Sequence, residues 1–577
     1  MASTAPTVII HDAQNQAWLD FRDPVAILTA HTPNQVLSLL ETLQHQIDQH
    51  QLYAAGFLSY EAAPAFDPAF TVKATPFPLA WFGLYPKPEA ITLPPPSRSQ
   101  PLDWTPGITQ PLYQQAFSQV KHYIRQGLTY QVNLSFRLNA QFQQTPWQYF
   151  NQLAQNAQYG AFIETSDWAI CCASPELFFR QNNYEIYCRP MKGTVPRGLT
   201  HESDRRLAQW LQNSEKNQAE NIMIVDMIRN DLGRIAQLGT VEVTSLFNIE
   251  QYPTLWQMTS SVQCQTQATL SQIFQALFPC ASITGAPKLR TMQIIAELEE
   301  TPRKIYTGTI GFITPNRTSQ FNVAIRTVLI NKNDYTAEYG VGGGIVWDSQ
   351  AGDEFEECRT KAKILTAQQP EFSLLETLLW TPEKDYFLLD LHLKRLITSA
   401  QYFAFPIDQS TVQNYLKAIA PTFPPQPQKV RLLLSPQGTL IHESAPLAHQ
   451  TQAPLRVCLA SSPVNSTNVF LYHKTSDRQI YTQAQQQCPG YDDVILWNEN
   501  GELTEFCSGN LVIELDGQWY TPPIECGLLA GTFRAWLLEQ GIIQERIIQI
   551  KELVKCSRVF LVNSVRQKQE AIVCLPH

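Results

Sequence analysis

Two glutamates in the middle of the chain have the spacing of neighbours on a helix. Glu354 and Glu357, in DEFEECRTKAK, are three residues apart, so on a helix their carboxylates share a face. Like charges this close repel each other, and a divalent cation between this helix and Glu220 would relieve the repulsion. Glu220 opens the apolar stretch in AENIMIVDMIRNDLGR, where a solvated carboxylate in a first helical turn is the alternative interpretation. Oxygen donors without histidine or cysteine indicate magnesium.

Two lysines lie in short motifs that could present a reactive amine. Lys192 is in RPMKGT and Lys474 is in YHKTSDRQIY. A neutral lysine amine is a nucleophile towards carbon and can attach a carbonyl cofactor. Each lysine taken alone is more typical of an exposed loop, so its interpretation depends on the motifs around it.

Helices and strands in alternation have to position these residues. YQQAFSQVKHYIRQG predicts a helix that ends at Gly127, and YQVNLSFRL predicts a strand directly after it. QFNVAIRTVLI and EYGVGGGIVW predict further strands, and EKNQAENIMIVDMIRNDLGRI predicts a long helix. These patterns indicate an α+β fold.

The chain is too long for one hydrophobic core. At 577 residues it has the length of several compact domains. A proline-rich stretch, PKPEAITLPPPSRSQP, predicts a surface linker inside the first domain. The polar break AQQPEF, at residues 367–372, precedes a fresh pattern that begins FSLLETLLW. We therefore expect one domain over residues 1–366 and another over residues 372–577.

Composition and charge exclude several classes of partner. Hydrophobic residues make up 44% and charged residues 16% of the chain, as in ordinary globular proteins. The net charge of -9 and the lack of a lysine or arginine run argue against nucleic acid. No apolar stretch is long enough to cross a bilayer and no signal peptide is recognisable, so we expect no membrane association and a cytoplasmic location. The 12 cysteines have irregular spacings without a C-x-x-C pair, which indicates free thiols.

The run from about Gly127 to Lys361 resembles the chorismate-utilising enzymes, and most closely their aminodeoxychorismate synthase component I branch. The motifs that carry the resemblance are YQVNLS, SPELFFR, RPMKGT, AENIMIVDMIRNDLGR, ASITGAPK, AIRT and DEFEECRTKAK, in the family's order. The resemblance implies stacked β-sheets with surrounding helices and magnesium ligands at Glu220, Glu357 and Glu354. The substrate contacts that it implies are Gln131, Gly193, Thr194, Thr284, Tyr306, Arg326, Gly342, Gly343 and Lys361.

Two residues, Gln131 and Lys192, indicate which chorismate chemistry to expect. Gln131 stands where the water-adding members of the family have a lysine base, and glutamine cannot deprotonate water. Lys192 stands where aminodeoxychorismate synthases use a covalent nucleophile and where anthranilate synthases usually lack lysine. The resemblance implies that Lys192 attacks C2 of the ring while the C4 hydroxyl departs, and that ammonia then adds at C4 and displaces the lysine. Glu176 in SPE matches the general acid that protonates the leaving hydroxyl.

The first reaction needs a source of ammonia. No glutaminase domain with a cysteine nucleophile is recognisable in the chain, so the resemblance implies a separate glutamine amidotransferase subunit, with free ammonia as the alternative donor. GFLSYEAAPAF resembles a region in which some relatives hold tryptophan, and the sequence does not decide whether this chain does.

From Phe372 onward the chain resembles the class IV, fold-type IV pyridoxal-phosphate enzymes, especially aminodeoxychorismate lyases and their aminotransferase relatives. The motifs are LDLHLKRL, YHKTSDRQIY, TEFCSGNLV and LLAGTFR. The resemblance implies a fold of two subdomains, with Lys474 as the catalytic lysine that holds the cofactor and Glu505 as the partner of its pyridine nitrogen. Further cofactor contacts that it implies are Arg395, Gly531 and Thr532 at the phosphate, and Thr377.

Together the two resemblances predict a bifunctional enzyme of 4-aminobenzoate synthesis, a folate precursor. The first domain would aminate chorismate with magnesium, and the second would remove pyruvate from the product with pyridoxal phosphate. The alternative is an anthranilate synthase component I fused to an unrelated class IV aminotransferase. Fold-type IV enzymes commonly pair, which predicts a homodimer through the second domain.

Overall fold

The computed structural model describes residues 6–94, 100–155, 157–365, 372–447 and 453–574. The chain divides into two compact units, each built from two stretches of sequence: Met1–Val195 with Trp210–Gln368, and Pro196–Gln209 with Gln369–His577. Of the break expected at residues 367–372, residues 367–371 lie outside the described residues. Residues 196–209, which the sequence analysis assigned to the first domain, belong to the second compact unit.

The first unit contains mostly antiparallel strands with helices on their outer faces. Its strands are β1 Thr7–Asp12, β2 Ala17–Phe21, β3 Ala26–Ala30, β4 Tyr53–Leu58, β5 Ala80–Tyr85, β6 Glu89–Ile91, β7 Thr105–Pro106, β8 Gln131–Gln141, β9 Tyr159–Glu164, β10 Trp168–Ser174, β11 Leu177–Asn182, β12 Glu185–Arg189, β13 Met191–Pro196, β14 Glu242–Gln251, β15 Leu255–Gln265, β16 Gly285–Ala286, β17 Thr309–Ile313, β18 Thr318–Asn322, β19 Thr327–Asn331 and β20 Thr336–Ile345. Its helices are α1 Pro33–His50, α2 Gln110–Arg125, α3 Pro146–Leu153, α4 His201–Asn213 (residues 201–209 of which are counted in the second unit), α5 Glu215–Gly233, α6 Leu270–Leu277, α7 Lys288–Leu298 and α8 Ala351–Ala362, with 3-10 turns at Tyr60–Ala65, Ala281–Ile283 and Lys363–Leu365.

Two ten-stranded sheets form the framework of this unit. The first has the order β16-β8-β20-β19-β10-β9-β1-β2-β6, with β7 beside β8, and the second has the order β13-β15-β12-β11-β18-β17-β4-β5-β3, with β14 beside β15. A buried cluster that includes Val8, Phe57, Ile170 and Phe312 takes residues from both sheets. The sheets therefore stack face to face, which confirms the stacked-sheet fold that was predicted.

The helices cover the outer faces through apolar stripes. In α1, Val36, Leu40 and Leu43 recur at helical spacing and are buried, as a helix packed on a sheet requires. The helix begins with a capping box in which Thr32 and Gln35 satisfy backbone N–H groups at its first turn. Helices α1, α5 and α6 contribute to the core over the second sheet, and α2, α3, α7 and α8 to the core over the first.

Most elements that the sequence predicts are present. The helix that ends before Gly127, the strand after it, the long helix α5 and the glycine-rich strand β20 are confirmed. QFNVAIRTVLI was wrongly predicted as one strand, because the chain turns between β18 and β19, where Arg326 has a φ of 51°. The proline-rich stretch is only partly a linker, since β6 lies within it and pairs with β2; residues 95–99 of it lie outside the described residues.

Arg303 forms a buried hub that ties together three segments near the strand β8. Its guanidinium pairs with Glu299 at 2.6 Å and also donates to the carbonyl oxygens of Asn133 and Ile283. It reaches the Thr307 hydroxyl as well, and its side chain is 1% exposed. Because a buried charge is costly unless it is paired and hydrogen-bonded, this set of contacts specifies one arrangement of the three segments.

The second unit consists of two sheets with separate cores. Its strands are β21 Leu374–Thr381, β22 Asp385–Tyr386, β23 Gln428–Leu434, β24 Leu440–Pro446, β25 Leu455–Leu459, β26 Asp493–Trp497, β27 Leu503–Phe506, β28 Asn510–Leu515, β29 Gln518–Thr521, β30 Gln544–Glu545, β31 Arg558–Asn563 and β32 Gln567–Val573. Its helices are α9 Leu389–Phe403, α10 Gln409–Ile419, α11 Gln479–Gln487 and α12 Thr532–Glu539, with 3-10 turns at Ala420–Thr422, Val469–Leu471, Ile524–Cys526 and Ile550–Lys555.

The order in the four-stranded sheet is β22-β21-β23-β24, and α9 and α10 pack on it around a core of their own. The order in the eight-stranded sheet is β27-β26-β25-β32-β31-β28-β29-β30, with its own apolar clusters. This confirms the two-subdomain architecture predicted for the C-terminal part. Among the described residues, no helix has both the length and the apolar character needed to traverse a bilayer.

We expect Arg303→Met to destabilise the first unit by about 3 kcal/mol, because Glu299 would lose its closest cation and keep only Arg137, 3.8 Å away. Arg229→Met is the matched control, since the Arg229–Asp226 pair is exposed and should contribute at most about 1 kcal/mol. Urea-dependent hydrogen exchange of first-unit peptides measures both changes. Equal destabilisation by the two variants would contradict the hub.

Candidate active sites

The amine of Lys192 lies over a glycine of the neighbouring sheet. Lys192 is half-buried in β13, and a Cβ added at Gly344 in β20 would collide with its Nζ. The same Cβ would come within 2.8 Å of Nε2 of Gln131. Lys192 and Gln131 therefore converge on one point, and the missing side chain of Gly344 makes the space for them.

Gln131 presents an unpaired amide at this point. Its side chain is fully buried, and neither Oε1 nor Nε2 has a hydrogen-bond partner among the described residues. An amide buried without partners is costly, and native proteins keep such groups mostly where a ligand or an ordered water meets them. Gln131 thus has the properties of a ligand-binding group.

Glu176 is a buried carboxyl group near the Lys192 amine. It lies between β10 and β11, and the Ser282 hydroxyl donates to its Oε1 at 2.6 Å. Burial raises the pKa of Glu176 to about 7, against the opposing effects of the Ser282 hydrogen bond and the charge of Lys192. A carboxyl group with this pKa can donate a proton near neutral pH.

The two glutamates of α8 face the same region. Glu354 is buried, accepts from the Ser349 hydroxyl at 2.6 Å, and lies 2.8 Å from where a Cβ of Gly343 would be. Glu357 forms an ion pair of 2.8 Å with Lys361, whose charge lowers the pKa of Glu357. Burial raises the pKa of Glu354. The donors suit a hard divalent cation in their chemistry.

The third expected metal ligand does not join this pair closely. Glu220 is half-buried on α5, and within the described residues no three acidic, histidine or cysteine side chains form a group that could hold a metal. The donor chemistry therefore fits magnesium, while the carboxylates are not assembled into a closed site.

Three more of the predicted substrate contacts are buried or half-buried in the same unit. Arg326 is half-buried, with its guanidinium 5.7 Å from the ring centre of Tyr252, and burial lowers its pKa. Tyr306 is buried against Gly340 of β20. Thr284 is fully buried, but its hydroxyl donates to the carbonyl oxygen of Cys280 at 3.0 Å, so only its oxygen remains to meet a ligand.

The backbone of KGT is held by one glutamine. Gln257 donates to the Gly193 carbonyl oxygen at 2.8 Å and accepts from the Thr194 hydroxyl at 3.1 Å. Gly193 has a φ of 96°, a conformation that favours glycine. Lys361 donates to the carbonyl oxygen of Gly342 at 2.9 Å.

In the second unit, Lys474 is a half-buried lysine beside buried charges. Burial, with help from Arg395, lowers the pKa of Lys474 to about 8. Its carbonyl oxygen accepts from the N–H of Leu375, which fixes the backbone next to β21. A lysine with this pKa is partly neutral near physiological pH, as an amine that exchanges protons or forms a covalent bond must be.

Glu505 is held by a network of donors. The Tyr481 hydroxyl donates to it at 2.8 Å, Asn510 Nδ2 at 3.2 Å, and the N–H of Leu529 at 3.3 Å. Burial raises the pKa of Glu505 to about 7 despite these bonds. Such a carboxyl group can pair with a basic ring nitrogen by sharing or accepting its proton.

Arg395 is joined to a buried carboxylate. Its Nε and Nη2 donate to Glu376 at 2.8 and 2.6 Å, and its Nη1 donates to the carbonyl oxygen of Ala530. His392 also contacts Glu376 at 2.7 Å, and its other ring nitrogen lies 3.3 Å from the Thr532 hydroxyl. Burial alone would raise the pKa of Glu376, but Arg395 and His392 outweigh it and lower the value to about 2.

The start of α12 completes this region. Gly531 precedes the helix, and a Cβ there would collide with Oδ1 of Asn510. Thr532 opens the helix, whose first N–H groups can bind an anion such as a phosphate. Thr377 is half-buried in β21 opposite Arg431 of β23, and its carbonyl oxygen accepts a hydrogen bond from the Ser564 hydroxyl at 3.3 Å.

Sequence reasoning missed several residues that the geometry brings into these sites. Gly344 stands beside the two glycines that were predicted, in the same GVGGG run, so the run itself was a signal. Ser282 is in the ASITGAPK motif, and Glu376 and His392 flank the residues chosen in LLETLLW and LDLHLKRL. Nothing in the spacing of Tyr481 indicates that it would contact Glu505.

A family model described as chorismate binding enzyme matches residues 5–367, which is more than half of the chain. The chain belongs to this family. A second model, described as amino-transferase class IV, matches residues 373–570.

Named relatives agree with the first match. Aminodeoxychorismate synthase component 1 of Escherichia coli (strain K12) is 40% identical over 271 residues, which cover 46% of this chain and 59% of the relative. The protein of the same name from Bacillus subtilis (strain 168) is 40% identical over 259 residues, covering 44% of this chain and 55% of the relative. The chain thus spans less than two thirds of these relatives. The crystal structure of anthranilate synthase component I from Streptococcus pneumoniae TIGR4 superposes with a TM-score of 0.54 at 25% identity, covering 64% of this chain and 94% of that chain.

We expect Gly344→Ala to weaken chorismate binding several-fold, because the added methyl group would push the ends of the Lys192 and Gln131 side chains away from the point on which they converge. Calorimetric titration with chorismate measures the affinity. Gly352→Ala in α8 is the control, since a Cβ there meets nothing within 4 Å. Unchanged affinity in Gly344→Ala would show that the Lys192 amine does not occupy this space.

Proposed function

We propose that the chain is a bifunctional enzyme that aminates chorismate at C4 and then eliminates pyruvate to give 4-aminobenzoate. The observation that carries the first step is the convergence of Lys192 and Gln131 over Gly344, with the buried carboxyl group of Glu176 close enough to feel the lysine charge. The relatives named aminodeoxychorismate synthase component 1 support the same reaction. The class IV amino-transferase match supports the second step.

In the proposed first reaction, the neutral Lys192 amine bonds to C2 of the ring. Both ring double bonds shift, from C1=C2 and C5=C6 to C1=C6 and C4=C5, the C4–oxygen bond breaks, and Glu176 donates its proton so that the hydroxyl leaves as water. The new ammonium on Lys192 loses its extra proton. Ammonia then bonds to C4, both double bonds return to their original positions, and the bond between C2 and the lysine breaks. The proton that the new C4 nitrogen loses replaces the one that the departing lysine nitrogen had given up.

The remaining predicted contacts would bind and orient chorismate. Arg326 offers a planar guanidinium for a carboxylate, and the strand Gly342–Gly343 lets backbone approach an anion. Gln131 would donate and accept hydrogen bonds with its unpaired amide. Thr284, Tyr306, Gly193, Thr194 and Lys361 would line the rest of the pocket.

Lys192 and Gln131 distinguish this reaction from its alternatives. Glutamine has no basic nitrogen, so hydration of the ring to isochorismate lacks a base at this position. An anthranilate synthase would need no lysine nucleophile. The anthranilate synthase component I of Streptococcus pneumoniae shares its fold with this chain, so the fold does not separate the two reactions. Identification of the product does.

We propose that magnesium binds at Glu357 and Glu220, with Glu354 beside them. The oxygen-only donor set and the like charges on α8 support this assignment. Bound magnesium would supply positive charge for the ring carboxylate of chorismate. Glu357 is paired with the Lys361 ammonium group. When magnesium binds, the Glu357 carboxylate therefore has to release this ammonium group or be shared between it and the metal.

We propose that ammonia comes from a separate glutamine amidotransferase subunit, because the relatives are named as component 1 of their synthase. We also propose pairing of two chains through the second unit, as is common in the class IV family. A cytoplasmic location is our third proposal of this kind. All 12 cysteines are free, which suits a reducing compartment.

For the second reaction, pyridoxal phosphate would supply an electron sink for the carbon that bears the amine. The residues of this chain fit that cofactor: a lysine with a lowered pKa, a buried carboxyl group in Glu505, and the start of α12 for a phosphate. Arg395, Gly531 and Thr532 would hold the phosphate, and Thr377 would lie near the ring. Lys474 would remove the C4 proton of aminodeoxychorismate, so that pyruvate leaves from C3 and the ring becomes aromatic.

The combination of both units favours a lyase over an aminotransferase. An aminotransferase would use the same lysine, cofactor and carboxyl group, so these residues alone do not separate the two activities. A lyase consumes what the first reaction produces, and one chain then carries out two consecutive steps.

Two single substitutions test this function. Lys192→Ala should abolish amination of chorismate but leave conversion of supplied aminodeoxychorismate to 4-aminobenzoate unaffected. Lys474→Ala should do the reverse and accumulate aminodeoxychorismate, because proton removal at C4 is lost. Incubation with chorismate and ammonia, with and without magnesium and pyridoxal phosphate, followed by mass spectrometry of the products, measures both effects.

Each variant is the folding control for the other, since each retains one reaction. Anthranilate as the product of the unaltered chain would refute amination at C4. Normal amination by Lys192→Ala would refute the covalent lysine while leaving the product assignment intact.

The acidity of Glu176 predicts a pH dependence. Because the carboxyl group must be protonated to act, amination should decline as the pH rises above about 7, the pKa set mainly by burial. Ser282→Ala removes a hydrogen bond that favours the charged carboxylate, so it raises the pKa of Glu176. The decline of the amination rate with pH should therefore begin at a higher pH. Initial rates of amination across pH measure the shift, with the exposed Ser118→Ala as the control. A rate decline that begins at the same pH or at a lower pH in Ser282→Ala would contradict the role of Glu176 as the acid.

A further inference from the structure

A short stretch of sequence is separated from the rest of the unit in which it folds. Pro196–Gln209 belongs to the same compact unit as Gln369–His577. In sequence it lies inside residues 5–367, which match the chorismate binding family, and far from the class IV match at residues 373–570. A class IV domain defined by sequence alone would therefore lack this stretch.

The stretch is fixed by a buried ion pair. Arg197 donates from Nε and Nη2 to the two carboxylate oxygens of Asp204, each at 2.8 Å, and the N–H of Gly198 donates to the same carboxylate. The two side chains are 7% and 2% exposed. A buried pair of this kind is a poor source of stability compared with apolar packing, but it is specific in its geometry.

The ion pair in turn holds Tyr402 of α9. Arg197 Nη2 donates to the Tyr402 carbonyl oxygen at 2.8 Å, and its guanidinium lies 4.3 Å from the ring centre of Tyr402. The Tyr402 hydroxyl donates back to the carbonyl oxygen of Gly198 at 2.7 Å. Tyr402 is thus held from its backbone, its ring and its hydroxyl.

Tyr402 packs against the residue next to Lys474. The rings of Tyr402 and His473 lie 4.3 Å apart at 33°, and Nδ1 of His473 is 2.9 Å from the Ser399 hydroxyl. His473 is buried, and burial lowers its pKa to about 4, so it is neutral. Because the neutral His473 ring is packed against Tyr402 and Ser399, it fixes the backbone next to it and with it the direction of the Lys474 side chain.

Leu199 makes a second, apolar contact with the same site. It packs on the cluster that contains Tyr472 and Tyr481. The hydroxyl of Tyr481 donates to Glu505 at 2.8 Å. The stretch therefore supports both the lysine side and the carboxyl side of the proposed cofactor site.

We propose that Arg197–Asp204 is a positioning element of the Lys474 site, acting through Tyr402 and His473 on the lysine and through Leu199 on Tyr481. The inference rests on the proposed function of that site. It implies that the class IV domain is incomplete when the chain is cut at residues 367–372, because a necessary piece comes from far upstream in sequence.

Asp204→Asn in the full chain tests the proposal, since it removes the charge and keeps the shape. Its dissociation constant for pyridoxal phosphate, measured by absorbance titration of the apoprotein, should rise by about tenfold, as is typical when support behind a ligand-binding residue is lost. The pH at which the absorbance of the bound cofactor is half changed, its pH midpoint, should also shift, because the substitution alters the surroundings of Lys474. Glu202→Gln is the control, since Glu202 pairs with Arg206 on the exposed face of the same helix and is 80% exposed.

Amination of chorismate serves as the measure of correct folding. If Asp204→Asn does not retain amination, Tyr402→Phe and Tyr402→Leu replace it: the first keeps the ring against His473 and should weaken cofactor binding less than the second. Cofactor affinity and pH midpoint equal to those of the unaltered chain in Asp204→Asn, or equal effects of the two Tyr402 variants, would overturn the proposal. An unaltered chain that binds no cofactor would instead refute the proposed function of the site.

Discussion

The first site depends on the absence of a side chain at Gly344. The strands β8 and β20 pair without interruption past Gly342, Gly343 and Gly344. A Cβ at Gly342 would lie 2.6 Å from the Leu134 carbonyl oxygen of β8, so this glycine serves the pairing itself. The other two glycines serve the site, because the Lys192 amine and the Gln131 amide converge where a Cβ of Gly344 would stand, and Glu354 lies close to where a Cβ of Gly343 would stand. The same pair of strands therefore serves as a structural sheet and as the floor of a pocket. A polar cluster this dense could not be assembled over a strand with ordinary side chains.

Burial raises the pKa of three carboxyl groups in the two sites, and in one of them the neighbouring charges reverse this effect. Glu176, Glu376 and Glu505 are each almost fully buried. Glu376 is bonded to Arg395 and contacts His392, and its pKa falls to about 2. Glu176 and Glu505 have hydroxyl and amide donors in place of a bonded cation, and burial raises the pKa of each to about 7. One type of side chain thus gives a permanent anion in one place and a proton donor or acceptor in two others.

Local pattern predicted most of the elements, and motif order predicted many of the residues that the structure brings together at the two candidate sites. Helices α2 and α5 and strands β8 and β20 follow from the periodicity of their apolar residues. In β8 the alternating polar residues Gln131, Asn133, Ser135 and Arg137 are buried as well, which the pattern does not predict. The partners of the functional groups do not follow in this way. Ser282 meets Glu176 across 106 positions of sequence, and periodicity identifies the face on which a residue lies but not what it touches. The turn at Arg326 was missed because a single residue of positive φ leaves the apolar pattern of QFNVAIRTVLI unbroken.

Arg395 shows why a residue matched by motif needs its contacts before it is given a role. Three of its N–H groups are engaged with Glu376 and the Ala530 carbonyl oxygen, and the carboxylate cancels its charge. Only the remaining N–H groups can meet a phosphate, and they do so from a neutral pair. The favourable field for an anion must then come largely from the first turn of α12, since the first N–H groups of any helix have no partner within it. The Thr532 hydroxyl in this turn lies 3.3 Å from a ring nitrogen of His392. Arg395 consequently has a second task, which is to fix α9 against β21 through Glu376. Loss of Arg395 would thus disturb the framework of the site as well as its contact with the anion.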